Sequence, residues 1–324
     1  MNVLITGGAG FIGSHLSDFI LKQGHDVYII DDLSTGSMSN IAHLENNPRF
    51  HYTIGSVLNK GKTAELISKC DQIFHLAASV GVNLVVQEPL MSFRNNIEST
   101  ELILHLASKC NTKVLITSSS EVYGKNDNLP FKEDDDRIFG SATDVRWGYA
   151  LSKATDEFSA LGYHNKFGLP VIVVRLFNTV GARQTGQYGM VIPRFVQQAL
   201  RNQDLIVHGN GKQRRCFTDV SDVVTGLSSL MESEEAVGKI FNIGSTNEIS
   251  IIELAKKIVH QVNSSSSIKF ANYKEIYGVD IEDMQRRIPN LDHIYKVVGY
   301  IPTVDLGQCI DNVITYYTQR SNKD

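Results

Sequence analysis

The chain has 324 residues, of which 42% are hydrophobic, so it can bury the core of one large or two modest domains. Its formal net charge of -4 gives no electrostatic basis for binding nucleic acid or an anionic membrane surface. No apolar run reaches the roughly 18 residues that a spanning helix needs, and no signal peptide is expected before the first predicted strand.

The N-terminal segment predicts a strand, a glycine-rich turn and a helix. An apolar run at 3–5 is typical of a buried parallel strand. Glycines and then an amphipathic stretch follow it: Gly7, Gly10 and Gly13, with Phe11 and Ile12 at the start of the helix. Glycines at such a turn let the backbone approach a pyrophosphate, which then faces the helix N-terminus. The segment therefore predicts a dinucleotide site, although the G-x-x-G-x-x-G spacing alone is a weak indication.

A second predicted strand, at 26–31, strengthens that interpretation. It ends at Asp31, about twenty residues beyond the glycines, where a carboxylate can accept hydrogen bonds from ribose hydroxyls. No arginine stands beside Asp31 to accept a 2′-phosphate. The sequence therefore favours NAD over NADP as the cofactor.

Strand-like and helix-like segments alternate up to about residue 175. Strands are predicted near 2–6, 26–31, 50–54, 72–76, 113–118 and 170–175, and helices near 11–23, 61–69, 92–110 and 147–167. This alternation predicts an α/β fold with a Rossmann-type, doubly wound parallel sheet. Beyond about 180 the pattern is less regular, with helices near 190–201, 220–232, 250–262 and 304–318. We interpret that part as a smaller C-terminal α/β substrate lobe that closes over the sheet.

Cysteine and carboxylate patterns predict no metal. The four cysteines lie far apart without C-x-x-C spacing, at Cys70, Cys110, Cys216 and Cys309. We expect buried free thiols in a reducing, cytoplasmic compartment. The acidic run at 133–136 is interpreted as a solvated loop, because adjacent carboxylates on one loop seldom converge on an ion without other ligands.

Tyr149 and Lys153 are the strongest catalytic candidates. They lie four residues apart on the helix predicted at 147–167 and so share one face. A lysine cation near a phenol favours the phenolate, so Tyr149 is predicted to act as a base well below its ordinary pKa of about 10. Ser119 follows the strand predicted at 113–118, where its hydroxyl can share a substrate proton with Tyr149.

Five motifs occur together and in order over nearly the whole chain. They are TGGAGFIG at 6–13, HLAAS at 75–79, SSSEVYG at 118–124, YALSK at 149–153 and RLFNTVG at 175–181. Together they resemble the extended short-chain dehydrogenase/reductase family that modifies nucleotide sugars. The resemblance implies an NAD-binding Rossmann domain at 1–178, to which some later segments return, and a nucleotide-sugar-binding lobe at 179–324.

The same resemblance implies roles for individual residues. NAD would be held by Gly7, Gly10, Phe11, Ile12, Asp31, Ser34, Thr35, Gly36, Ala77, Ala78, Ser79, Asn95 and Lys153. A UDP-sugar would be held by Ser120, Asn178, Val191, Arg215 and Arg287. The two arginines match the family's diphosphate-binding arginines, whose guanidinium forks suit a doubly charged diphosphate.

The family's shared first step is oxidation at sugar C4, with Tyr149 removing the hydroxyl proton. Glu121 discriminates among the reactions that follow, because simple neutral-sugar epimerases usually lack a carboxylate there, whereas decarboxylases and dehydratases have one. Arg146-Trp147 and the segment 215–219 resemble bacterial UDP-glucuronate decarboxylases, but the run YALSK differs from the YDEGK of plant and animal decarboxylases. We favour a UDP-hexuronate decarboxylase of the UDP-glucuronate type. The alternatives are a UDP-sugar 4-epimerase, a 4,6-dehydratase and a non-catalytic NAD-binding protein.

Members of the family commonly form homodimers through a four-helix bundle. The helices predicted at 92–110 and 147–167 would form it here, with Leu102, Leu104, Leu106, Phe158 and Leu161 as candidate apolar contacts. The same leucines would serve equally well inside the core.

Overall fold

The computed structural model describes residues 1–186, 189–278 and 284–321. Its first half alternates strands and helices, as predicted. The elements are β1 (Asn2–Thr6), α1 (Phe11–Lys22), β2 (Asp26–Asp31), β3 (Phe50–Ile54), α2 (Lys60–Lys69), β4 (Gln72–His75), α3 (Val82–Gln87), α4 (Pro89–Cys110), β5 (Lys113–Ser119), α5 (Arg146–Phe167) and β6 (Val171–Leu176).

The second half contains shorter strands between helices. These elements are β7 (Thr179–Val180), α6 (Val191–Leu200), β8 (Leu205–His208), β9 (Arg214–Cys216), β10 (Thr218–Asp219), α7 (Val220–Glu232), β11 (Lys239–Ile243), β12 (Glu248–Ser250), α8 (Ile251–Val262), β13 (Ile268–Ala271), α9 (Tyr273–Tyr277), α10 (Asp292–Val298) and α11 (Leu306–Ser321). The described residues include no helix long and apolar enough to cross a bilayer.

Seven strands form one parallel sheet in the order β11-β6-β5-β4-β1-β2-β3. The chain proceeds outward from β1 to β3 on one side and from β4 onward on the other. The strand order therefore switches between β1 and β4, and a crevice opens there at the carboxyl ends. This arrangement confirms the predicted Rossmann-type sheet.

Apolar runs explain why these strands lie in the middle of the molecule. β1, β5 and β6 are buried along most of their length, as expected for parallel strands covered by helices on both faces. One face packs on α1 and α7, and the other on α2 and α4. β11 and α7 come from beyond residue 178 and complete this first sheet and core.

A second hydrophobic core organises the remaining part. The helices α6, α8 and α11 pack around the paired strands β8 and β13. A small antiparallel pair, β9 and β12, lies beside them. This part of the chain faces the carboxyl ends of the large sheet, and the crevice between the two contains the candidate site.

Several local expectations can be compared with the structure. Leu104 and Leu106 are buried in the core under the sheet, the second of the two positions left open for them, because the face of α4 that carries them packs inward. Cys110 is exposed rather than buried, since it ends α4. Glu133 is not fully solvated: its Oε1 accepts a hydrogen bond from the Asn242 amide at 2.8 Å.

Candidate active site

A cavity of about 720 Å³ lies where the carboxyl ends of the sheet meet the second core. It brings together residues from distant parts of the chain, including every predicted catalytic and substrate-binding residue: Ser119, Glu121, Tyr149, Lys153, Ser120, Asn178, Val191, Arg215 and Arg287. The predicted cofactor residues line it too, with one exception: Gly7, Gly10, Phe11, Ile12, Asp31, Ser34, Thr35, Ala77, Ala78, Ser79 and Asn95. Gly36 does not line the cavity.

The glycine turn between β1 and α1 is too tight for side chains. A Cβ atom at Gly13 would lie 2.2 Å from the carbonyl oxygen of Gly7. Gly7 has a φ of +70°, and a Cβ there would lie 2.9 Å from the Ala77 nitrogen. Helix α1 starts after Gly10 with no side-chain cap and no acidic residue in its first turn. The first amide groups of α1 are thus oriented for an anion such as a pyrophosphate.

Asp31 closes the same end of the cavity. Its Oδ2 accepts a hydrogen bond from the Ala9 amide at 2.9 Å, and its Oδ1 accepts one from the Leu33 amide at 2.8 Å. Burial raises the pKa of Asp31, while these backbone hydrogen bonds oppose that rise. Gly36 contributes indirectly, because a Cβ there would lie 2.8 Å from Asp31 Oδ1. The lone pairs left on the carboxylate suit ribose hydroxyls.

Asn96 was missed by the sequence analysis, which named its neighbour Asn95. Asn96 is fully buried in α4, and its Oδ1 accepts a hydrogen bond from the Ser79 amide at 2.7 Å. Its Nδ2 donates to Ser152 Oγ at 3.2 Å. Asn96 thus ties the segment 77–79 to α5. A buried amide inside a helix was the available indication, but only the fold shows which backbone it holds.

Tyr149 and Ser119 meet inside the cavity, and a hydrogen bond between them favours the phenolate. The predicted lowering of the Tyr149 pKa is nevertheless wrong. Burial and the negative charge of Glu121 raise the pKa of Tyr149. The predicted tuning partner, Lys153, donates instead to Asp156 Oδ2 at 3.1 Å, so part of its charge is offset.

Glu121 lies between two arginines that come from distant segments. Arg287 Nη1 donates to Glu121 Oε1 at 2.6 Å, and Arg146 Nη2 lies 3.2 and 3.1 Å from the two carboxylate oxygens. Arg287 Nη1 also donates to Ser120 Oγ at 3.4 Å. The three side chains are between 9% and 16% exposed, so solvent screens them weakly. The structure therefore pairs Arg287 with Glu121, and its binding of the diphosphate stays a prediction.

Arg215 and Asn178 are two further predicted substrate-binding residues that line the cavity. Arg215 is almost completely buried, and its Nη1 donates to the Arg214 carbonyl at 2.8 Å and to the Gln285 carbonyl at 3.3 Å. Asn178 Nδ2 donates to the Cys216 carbonyl at 2.8 Å, which connects the end of β6 to β9. Both side chains are held in place at the cavity wall. Among the described residues there is no cluster of His, Cys, Asp and Glu that could hold a metal ion.

A Rossmann sheet, an uncapped glycine turn, a strand-end carboxylate and a Ser-Tyr-Lys group define the site of a dinucleotide-dependent enzyme. Residues 4–313 match the sequence profile of the family described as GDP-mannose 4,6 dehydratase. The protein therefore belongs to this family of NAD-dependent extended short-chain dehydrogenases/reductases, which confirms the resemblance found in the sequence.

Individual relatives agree with that assignment. The UDP-N-acetyl-alpha-D-glucosaminuronate decarboxylase of Bacillus cytotoxicus is 40% identical over 320 residues, which are 98% of each chain. UDP-glucuronic acid decarboxylase 4 of Arabidopsis thaliana is 34% identical over 322 residues, 99% of this chain and 69% of the relative. The solved UDP-glucuronic acid 4-epimerase of Bacillus cereus, in complex with UDP-glucuronic acid and NAD, superimposes with a TM-score of 0.89 at 28% identity, covering 99% of this chain and all of that one.

Proposed function

We propose that this protein is an NAD-dependent decarboxylase of a UDP-hexuronate. The observation that carries the proposal is the cluster of Glu121, Arg146 and Arg287 beside Tyr149. Two guanidinium groups and one carboxylate leave one net positive charge in a weakly screened part of the cavity. A sugar carboxylate would complete that charge balance, whereas a neutral hexose would leave it uncompensated.

The cluster also removes a physical objection to this reaction. A free carboxylate beside a substrate carboxylate would repel it. Here Glu121 already accepts hydrogen bonds from Arg287 and Arg146, so the region that faces the substrate is cationic overall. Glu121 and the substrate then compete for the same two guanidinium groups. That competition weakens the hold on the substrate carboxylate and favours its departure as neutral carbon dioxide.

NAD fits the residues that this chain presents. The uncapped start of α1 suits its pyrophosphate, and Asp31 suits a free ribose 2′-hydroxyl but opposes the phosphate of NADP. Lys153 has further ammonium donors for a second ribose besides the one directed to Asp156. The bound dinucleotide supplies the hydride acceptor for oxidation at C4 and brings a positive charge into the cavity.

Tyr149 and Ser119 handle the proton of the C4 hydroxyl. The hydrogen bond from Ser119 stabilises the phenolate of Tyr149, which then accepts the proton. Oxidation at C4 turns a hexuronate into a β-keto acid. Its C5–C6 bond can then break to release carbon dioxide, while the electron pair of that bond passes to the C4 oxygen as an enolate that takes up a proton at C5. Arg287 and Arg146 hold the carboxylate until that step and return to Glu121 after it.

The relatives support a uronate substrate. Relatives that are 33–40% identical over nearly the whole chain include decarboxylases of UDP-glucuronic acid and of its N-acetylated counterpart. The main alternative is a UDP-sugar 4-epimerase, which the UDP-glucuronic acid 4-epimerase among the structural neighbours supports. Such an enzyme would share the uronate-binding site but return the hydride to the other face of C4, and the carboxylate would stay on the sugar.

Product mass separates these reactions. Purified protein with NAD is incubated separately with UDP-glucuronate, UDP-N-acetylglucosaminuronate and UDP-glucose. The masses of the products are measured by mass spectrometry. The proposal expects loss of carbon dioxide from at least one uronate and no reaction of UDP-glucose. A new isomer of unchanged mass would favour the epimerase, and loss of water would favour a dehydratase.

We further propose a homodimer formed by α4 and α5. Leu151 and Phe158 lie two turns apart on one face of α5 and are 40% and 79% exposed. An exposed aromatic beside another apolar side chain suits a helix-bundle interface. Light scattering at micromolar concentration should show a dimer that Phe158→Asp converts to a monomer; a monomeric wild-type protein would refute this proposal.

The free cysteines suit the reducing cytoplasm, which we propose as the compartment of this protein.

A further inference from the structure

Asp156 is a buried carboxylate directly behind the catalytic lysine. Its Oδ2 accepts a hydrogen bond from Lys153 Nζ at 3.1 Å, one turn away on α5. The two side chains are only 2% and 4% exposed, so water scarcely screens the pair. Lys153 lines the cavity, whereas Asp156 does not. Asp156 therefore acts on the site only through its neighbours.

Burying this carboxylate is costly for the fold. Its Oδ1 has no hydrogen-bond partner among the described residues. Burial raises the pKa of Asp156, and the Lys153 charge together with a hydrogen bond from Thr100 opposes the rise. An apolar residue would avoid the desolvation cost, so the carboxylate is better explained by an effect on Lys153 than by stability.

The elements packed around Asp156 supply little other charge. From β4, His75 lies behind Thr100, with 3.3 Å between His75 Nε2 and Thr100 Oγ1. Burial and the Lys153 cation lower the pKa of His75 to about 3, so this ring is neutral. On α5 itself, Glu157 forms a bidentate ion pair with Arg175 at 2.9 Å and a second ion pair with Arg137, and its remaining charge contributes to the raised pKa of Asp156.

The pKa of Tyr149 depends on several charged groups around the site. Burial raises the pKa of Tyr149 most. The charges of Glu121 and Asp156 raise it further, while a hydrogen bond with Ser119 and the charge of Arg287 lower it. Glu121 is paired with arginines, as described above. Asp156 is paired with the lysine whose cation would otherwise favour the phenolate.

We propose that Asp156 is a positioning residue that fixes the Lys153 ammonium and offsets part of its charge, thereby setting the pH at which Tyr149 becomes a base. The inference rests on the proposed function, because it assigns Tyr149 the role of base. Removing the Asp156 charge makes Lys153 a stronger partner for the phenolate, so Tyr149 loses its proton at lower pH. Activity rises along the acidic limb of the pH-rate profile as Tyr149 deprotonates. Without the Asp156 charge, this limb is expected at lower pH.

The test compares Asp156→Asn with wild-type enzyme loaded with NAD. We expect the acidic limb of kcat/KM to shift down by about one pH unit, with the alkaline plateau changed less than about threefold. Asp156→Glu keeps the charge and should retain the wild-type profile. Asp134→Asn removes the same charge from an exposed loop position and should change nothing.

Two results would overturn the inference: an unshifted acidic limb, or an equal loss of activity at every pH, which would indicate a merely structural role. If Asp156→Asn does not fold, Asp156→Ala removes the same charge and carries the same expectation. A titration of the Tyr149 ring carbon by NMR, assigned with Tyr149→Phe, measures the same shift without substrate. The NMR titration tests this inference even if the enzyme turns over no UDP-hexuronate. Such a lack of turnover would count against the proposed function alone.

Discussion

The cofactor end and the sugar end of the cavity are built in different ways. At the cofactor end, backbone geometry over short stretches forms the site: the glycine turn from Gly7 to Gly13, and Asp31 held by amides of Ala9 and Leu33. At the sugar end, side chains from distant segments meet, since Arg146 and Arg287 reach Glu121 across 25 and 166 residues of sequence. We propose that the first end serves oxidation in general and that the second end selects the particular reaction.

The largest effect is expected where the two ends meet. Tyr149→Phe removes the base but leaves the ring, so turnover should fall about 1,000-fold. NAD binding, measured by fluorescence or calorimetry, should stay within a few-fold of wild type. Retained turnover would show that another group accepts the proton and would break the division of roles proposed here.

A change at the sugar end should remove activity without affecting the cofactor. Arg287→Met leaves Glu121 with one guanidinium fewer, so kcat/KM for the UDP-hexuronate should fall about 100-fold. Arg286→Met is the matched control, because Arg286 is half-exposed and pairs with Glu248 outside the cavity. Similar losses in both variants would argue against a specific uronate-binding role for Arg287.

A change at the cofactor end should affect stability and NAD together. Gly13→Ala places a methyl group against the Gly7 carbonyl, so we expect about 2 kcal/mol lower stability and at least about tenfold weaker NAD binding. Gly61→Ala in α2 meets nothing closer than 3.7 Å and should be neutral or stabilise by roughly 0.5–1 kcal/mol. Thermal unfolding with and without NAD measures both the stability and the NAD binding of each variant. Wild-type stability and NAD binding in Gly13→Ala would contradict the tight turn.

The smallest effect concerns cofactor choice. Asp31→Asn removes the charge that opposes a 2′-phosphate, so the preference for NAD over NADP should weaken about tenfold. Asp32→Asn is the control, because that neighbouring carboxylate is exposed and bonds to the Ser34 amide. The dissociation constants of NAD and NADP are measured for both variants. Equal changes in the two variants would indicate a nonspecific effect of the removed charge rather than a contact between Asp31 and the ribose.

These contrasts explain what the sequence could predict. The parallel sheet, the glycine turn and Asp31 were predictable because each depends on a local pattern of residues. The pairing of Glu121 with Arg287, the role of Asn96 and the burial of Asp156 were not, because each depends on segments that only folding brings together. The Tyr149 pKa was predicted in the wrong direction for the same reason: the i+4 spacing indicated Lys153 but did not reveal the burial of Tyr149, the nearby charge of Glu121 or the pairing of Lys153 with Asp156.

The most direct measurement of the central claim follows the substrate carboxylate itself. UDP-glucuronate and its N-acetylated counterpart, each isotopically labelled at the carboxylate carbon, are incubated with NAD-loaded enzyme and with Arg287→Met. The account predicts release of labelled carbon dioxide by the wild-type enzyme from at least one of the two, strongly reduced in the variant. Retention of all label in an isomerised UDP-sugar would contradict it.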